Sequence, residues 1–256
     1  MTARLAFADA GEAADLAAFL ARLIHYDRAA AVRLQARADG GTGRSTAGSG
    51  TAGSGTAGSG TEHGLAVFGR PPSFEVLAVR TARLAIPVEL DVTVSAGELL
   101  ESVDESGGTA TVPGAVTGPP WAGVLPPRGG WQQLPGLPSP DALRAAVAAV
   151  VAEFRTRTEA LTAELRTRAE LDRIGREIWS RPVGDTGLPV RALHAAQSLG
   201  FLRPVRVAVP ERPVETGRDE PFALFGAGSW LRLRTPYGST AVRSASALGG
   251  LSVTPA

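Results

Sequence analysis

Ser139 to Pro182 reads SPDALRAAVAAVVAEFRTRTEALTAELRTRAELDRIGREIWSRP, the longest helical signal in the chain, with strand-like sequence on both sides. Its start is well marked. Ser139 suits an N-cap, Pro140 the first helical position, and Asp141 the positive end of the helix dipole. Leu143, Val147, Val150 and Phe154 draw one apolar stripe, which Leu161 and Leu165 continue. Leu171, Ile174 and Ile178 fall on a different line. One straight helix over the whole stretch would be about 60 Å long, against a radius of gyration of about 18 Å for a compact chain of this size. The reading is therefore two helices with a break between Arg166 and Glu170. Glu153–Arg157, Glu164–Arg168, Asp172–Arg176 and Glu177–Arg181 place an acid four residues before a base, which predicts a solvated face laced with ion pairs.

The composition narrows the chemistry. The chain has 256 residues, 44% of them hydrophobic, enough for one large domain or two small ones. A net charge of +1 gives no global field toward nucleic acid or an acidic membrane. Cysteine is absent, which removes disulfides, thiolate metal sites and cysteine nucleophiles. Lysine and asparagine are absent too, and all 26 basic residues are arginine. Lysine and asparagine codons are A-rich, so this pattern points to a G+C-rich bacterial genome. Without lysine there is no Schiff-base chemistry and no P-loop. No apolar run approaches a membrane span, and the N-terminus has acids where a signal peptide needs an apolar core. The expected compartment is the cytoplasm.

On the N-terminal side, Leu5–Ala8 reads as extended and Gly11–His25 as a helix with Leu16, Phe19, Leu20, Leu23 and Ile24 on one face. Val32, Leu34 and Ala36 alternate with Arg33, Gln35 and Arg37, a half-buried strand. Residues 40–62 are low complexity, with three copies of TAGSG from Thr46 to Gly60; they read as a flexible surface loop. Leu65–Phe68 and Phe74–Leu84 read as a hairpin, Leu90–Ser95 as a strand, and Ser95 with Glu98 as a capping box opening a short helix. The acids from Glu89 to Glu105 lack the spacing of a calcium loop. Pro113–Pro138 is rich in proline, glycine and tryptophan and reads as an ordered extended strap over a hydrophobic surface, with Trp121 and Trp131 largely buried. The same segment is a candidate recognition element for a protein partner.

Beyond the central helices, Pro189 starts a further helix and Gly200 closes it. Ala196 and Gly200 have helix-turn-helix spacing, but RPVRVAVPERP then reads as a strand where a recognition helix belongs. Val205–Val209, Phe222–Phe225, Trp230–Thr235, Thr240–Arg243 and Leu251–Val253 read as antiparallel strands. Period 2 places Trp230, Arg232 and Arg234 on one face, joined by Arg206 and Arg243, with Tyr237 at the edge. Arginines beside an aromatic ring suit phosphate contact and base stacking, so these six residues are the candidate binding site.

The sequence thus predicts an α+β protein: an N-terminal helix plus antiparallel sheet (1–112, with the loop 40–62), the strap (113–138), a helical middle (139–202) and a C-terminal antiparallel sheet (203–256). No G-x-S-x-G, H-E-x-x-H, G-x-G-x-x-G or Walker A motif occurs, and the three histidines lack metal-ligand spacing. No catalytic residue, metal or cofactor is expected. The expected function is non-enzymatic binding of a protein partner, with nucleic-acid or anion binding as the alternative and an enzyme with a dispersed site as the third. Removing residues 45–60 is expected to leave the melting temperature nearly unchanged in a calorimetric scan; a loss of several degrees means that the repeats pack.

Overall fold

A computed structural model describes residues 3–38, 63–72, 74–204 and 222–244. The TAGSG repeats, the expected strands Val205–Val209 and Leu251–Val253, and Arg206 lie outside the described residues. The fold is α+β, with strands toward the N-terminus, helices in the middle and strands again toward the C-terminus. It divides into two compact units, residues 1–72 with 77–132, and residues 73–76 with 133–256.

In the first unit the order is β1 (Arg4–Ala6), α1 (Ala10–Tyr26), β2 (Ala31–Ala36), β3 (His63–Gly69), β4 (Leu77–Leu84), β5 (Leu90–Ser95), α2 (Ala96–Glu101) and β6 (Thr109–Thr111). β1 and β6 pair antiparallel, and the larger antiparallel sheet runs in the order β5-β2-β3-β4. Alternation holds on β2: Val32, Leu34 and Ala36 are buried while Arg33 and Gln35 are half-exposed. Leu34 stands between Val67 and Val92 in register, so one apolar row crosses three strands. Asp9 caps α1, its carboxylate accepting from the Glu12 N–H at 3.0 Å. Leu16, Phe19, Leu20 and Leu23 of α1 are all buried. A Cβ on Gly69 would come 2.5 Å from a terminal methyl of Leu23, so a larger residue there would make Leu23 shift. Ser95 caps α2 as its spacing predicts, accepting from the Glu98 N–H.

β4 breaks the pattern of its neighbours. Ala78, Arg80, Ala82 and Leu84 alternate to one side and are all buried, so a guanidinium enters the interior with Arg80 only 5% exposed. The first turns of α1 supply its counter-charge. Arg80 Nη2 lies 3.1 Å from Asp15 and 3.4 Å from Glu12, whose other oxygen takes the Arg83 Nε–H at 2.9 Å. Arg83 also reaches the capping Asp9 at 2.9 Å. Three acids one helical turn apart thereby fasten α1 to β4.

The second unit contains β7 (Gln132–Leu134), α3 (Pro140–Glu159), α4 (Arg168–Trp179), α5 (Val190–Ser198), β8 (Ala223–Ala227), β9 (Trp230–Thr235) and β10 (Gly238–Arg243), with its strands in the order β10-β9-β8-β7. Ser139 and Pro140 open α3 as expected. The break comes earlier than its expected place between Arg166 and Glu170: α3 stops at Glu159, and Leu161 and Leu165 sit in the turn that follows instead of extending the stripe. A further N-cap sets where α4 begins. Thr167 accepts from the Glu170 N–H at 3.3 Å and fixes the start of α4 at Arg168, and the Leu165 and Arg166 N–H groups turn back onto Thr162 O before it. Arg166 folds back on the carbonyls of Glu159 and Leu161, satisfying orphan acceptors at the end of α3. Of the expected i,i+4 ion pairs, Glu153–Arg157 (3.4 Å) and Glu177–Arg181 (3.1 Å) form. Closer contacts run between the helices, with Arg157 2.7 Å from Glu177 and Arg181 2.7 Å from Glu153. Glu177 is held down to about 2, chiefly by its hydrogen bonds from Arg157.

α5 ends in a Schellman motif. Phe201 N–H donates to Ala196 O at 2.8 Å and Gly200 N–H to Gln197 O at 3.0 Å, with Gly200 at φ +75°. The motif buries Phe201 against the β9–β10 hairpin, where a Cβ on Gly238 would meet its ring at 2.6 Å. Within that hairpin Thr235 donates to Gly238 O and accepts from the Tyr237 N–H.

The buried cluster on β4 generates a prediction. Glu12→Ala removes the acid shared by Arg80 and Arg83 and is expected to cost about 3 kcal/mol in urea unfolding. Arg33→Gln, on the solvent side of β2, is expected to cost under about 1 kcal/mol. Equal losses would show that the cluster does not fasten α1 to β4.

Candidate functional site

The register of the C-terminal strands places the predicted arginines. Arg232 pairs with Ala241 and Phe225, Arg234 with Ser239 and Ala223, and Trp230 with Arg243 and Ala227. Trp230, Arg232, Arg234 and Arg243 therefore share one face, and Leu231 and Leu233 the other. That face is not an open cationic patch. Phe225, Ser239 and Ala241 are buried, and Arg232 and Arg234 are half-buried. Arg232 Nε–H donates to Ser239 Oγ at 2.9 Å. The Arg234 guanidinium lies 4.8 Å from the Phe225 ring centre. Arg243 lies 5.4 Å above Trp230, is exposed, and has no carboxylate partner among the described residues. Tyr237 sits in the hairpin turn, 9% exposed, its hydroxyl donating to Pro204 O at 3.2 Å and its ring under Arg203 at 3.8 Å. It is a packed corner of the hairpin.

The strap presents a second surface, within the first unit. Its opening residues are tied to β5, with Val116 N–H donating to Thr93 O at 2.9 Å and Ala115 bridging Val94. Arg33 bonds Asp91 at 2.7 Å and also donates to Ala122 O in the 3-10 turn Pro120–Gly123. The Arg33 hydrogen bonds, and then that of Gln35, hold the Asp91 carboxyl below its ordinary range. The strap thus lies over the polar side of β2 and β5, not over a hydrophobic surface. Two of its apolar side chains face outward, while Ala122 is buried and Leu125 half-buried. Val116 is 39% and Val124 45% exposed. Trp121 and Trp131 are half-buried. Trp131 Nε1–H donates to Pro127 O at 2.9 Å, which closes the turn around the exposed Arg128.

A third group was not legible in the sequence. In the second unit, Phe154, Trp179, His194 and Phe74 form a row of rings. Phe154 and Trp179 are 5.7 Å apart, Trp179 and His194 stack at 4.6 Å with planes 7° apart, and His194 meets Phe74 at 5.1 Å. All four are half-buried. Periodicity brings Phe154 and Trp179 to facing helix sides, but nothing local announces Phe74. Glu75 beside it is the one non-glycine described residue at positive φ (+52°), a turn costing about 1 kcal/mol.

Among the described residues no three His, Asp or Glu side chains are grouped to hold a metal ion, and no helix is long and apolar enough to cross a membrane. A family model described as domain of unknown function DUF8010 matches residues 1–123, and a second, described as domain of unknown function DUF8185, matches residues 126–247. The two matched regions meet inside the strap. No curated protein and no solved structure matches the chain.

Burial pushes the His194 imidazole below its ordinary value. The fold therefore favours the neutral ring. Its contribution is full above the unfolded value, about 6.5, and is lost as pH falls below that toward the lower folded value. The melting temperature is expected to drop over that window. His194→Phe, which keeps a ring against Trp179 but has no proton to take, should remove part of the drop. An unchanged pH profile in the variant would show that His194 does not titrate with folding.

Proposed function

We propose that this protein is a cytoplasmic, non-enzymatic binding module that engages a protein partner through its proline-rich strap. The observation that carries the reading is the orientation of the strap. Polar bonds from Arg33 and Thr93 help hold it in place, and Val116 and Val124 stay outside. Val116 and Val124 are two of the few large hydrophobic side chains exposed among the described residues, and two half-buried tryptophans lie in the same segment. Aromatic and aliphatic side chains on a pre-ordered segment bind at low entropic cost, and tryptophan is enriched where binding energy concentrates.

The test places a photo-crosslinking amino acid at Val124 and, as control, at the exposed Glu105, and irradiates living cells. One discrete adduct from Val124 that is absent from Glu105 and is lost with Trp121→Ala supports the reading. No adduct, or the same adducts from both positions, overturns it.

The exposed Arg243 stacked on Trp230 favours the second reading, anion or nucleic-acid binding by the C-terminal strands. Arg232 and Arg234 already have contacts within the sheet, which weakens it. Binding of a single-stranded oligonucleotide that weakens steeply with salt and is reduced by Arg243→Gln would favour this reading over the first.

A further inference from the structure

Between Pro113 and Pro138 the strap holds one charged residue, Arg128. The two strands beneath it hold one each, Arg33 on β2 and Asp91 on β5. These two satisfy each other. Arg33 grips both Asp91 oxygens, at 2.7 and 3.0 Å, and Gln35 Nε2–H donates to the second of them at 3.1 Å. Arg128 is left 3.9 Å from a carboxylate already in use, with its side chain 62% exposed. It is the surplus charge of this surface.

The chain around Arg128 is ordered and open. Consecutive prolines fix φ at Pro126 and Pro127 and hold Leu125 and Pro126 extended, which gives residues 125–127 the polyproline form. No backbone hydrogen bond joins residues 125–130 to other backbone among the described residues. The Trp131 indole N–H closes the next turn on Pro127 O. No atom beyond the chain neighbours stands within 4 Å of where a Cβ would sit on Gly129 or Gly130, so the glycine side of this turn is open to a partner.

We propose that the partner of the strap is a protein whose groove is lined by aromatic rings and edged by a carboxylate, the rings taking Val124 and Pro127 and the carboxylate taking Arg128. This inference rests on the strap reading above. The rigid polyproline form packs against flat rings at low entropic cost, and carbonyls without backbone partners accept from indole or phenol donors. Arginine adds a planar fork that meets one carboxylate at two points. The charges select a protein over a polyanion. A nucleic acid or an anionic membrane draws its affinity from several cations acting together, and this surface has one uncommitted. A single Asp or Glu satisfies it.

The test uses the full chain with the photo-crosslinking amino acid at Val124, in living cells, and compares adduct yields. Arg128→Gln is expected to lower the yield at least about tenfold, through loss of a charge-assisted contact. Arg128 is exposed and lies in no helix or strand, so this variant should melt within about 2 °C of the parent. Pro126→Ala with Pro127→Ala should also lower the yield, with Arg128 still in place. Peptide mapping should put the crosslink on a partner surface that carries Trp, Tyr or Phe beside an Asp or Glu. Changing that acid to arginine should remove the adduct from the parent and restore it to Arg128→Glu. A full-yield adduct from Arg128→Gln, a crosslink site without an acid, or an adduct at twice the 26.3 kDa chain mass overturns this inference and leaves the strap reading standing. An adduct that nuclease digests, or no adduct at all, overturns both.

Discussion

Arg80 brings a full charge into the interior of the first unit, and much of that unit is arranged to accommodate it. A buried guanidinium is tolerated only when carboxylates stay beside it. Glu12 and Asp15 meet that need, which fixes the rotation of α1 about its axis and its height along β4. With that rotation set, Leu16, Phe19, Leu20 and Leu23 are buried, and Gly69 leaves room for the end of Leu23. Asp9 has two roles, capping α1 and pairing with Arg83, so the helix terminus and the ion cluster depend on each other.

The second unit relies on chain punctuation. Ser139, Thr167 and Gly200 each fix a helix end through a local hydrogen bond, and their positions limit how much of each helix is available for packing. α3 and α4 are joined by reciprocal Arg–Glu bonds in water, a contact that salt weakens. α5 and the β9–β10 hairpin are joined by a closer fit of Phe201 on Gly238. Between α3 and α4 these ion pairs accompany the packing of Phe154 against Trp179.

The two candidate surfaces differ in how their side chains are already committed. On the C-terminal strands, cross-strand pairing supplies Arg232 and Arg234 with a hydroxyl and a ring inside the sheet, leaving Arg243 exposed. On the strap, proline removes backbone donors, so the segment attaches at the few points where a carbonyl or N–H meets Arg33 or Thr93. That sparse polar attachment leaves Val116 and Val124 outward.

Much of the fold was legible in the sequence because it depends on near neighbours. Capping at Ser139 and Ser95, the alternation of Val32 to Ala36, the Gly200 terminator and the common face of Trp230, Arg232, Arg234 and Arg243 follow from spacings of two to four residues. The end of α3 at Glu159 was not legible, because the apolar stripe runs on through Leu161 and Leu165. What the sequence by itself determined, then, is where most elements begin, end and point. Tertiary structure alone decided which distant groups meet: Arg80 with Glu12, Arg33 with the strap, and Phe74 with His194. The physical reason is range. A cap or an alternation is settled within one turn of chain, whereas a buried charge or a stacked ring takes its partner from whichever element packs against it.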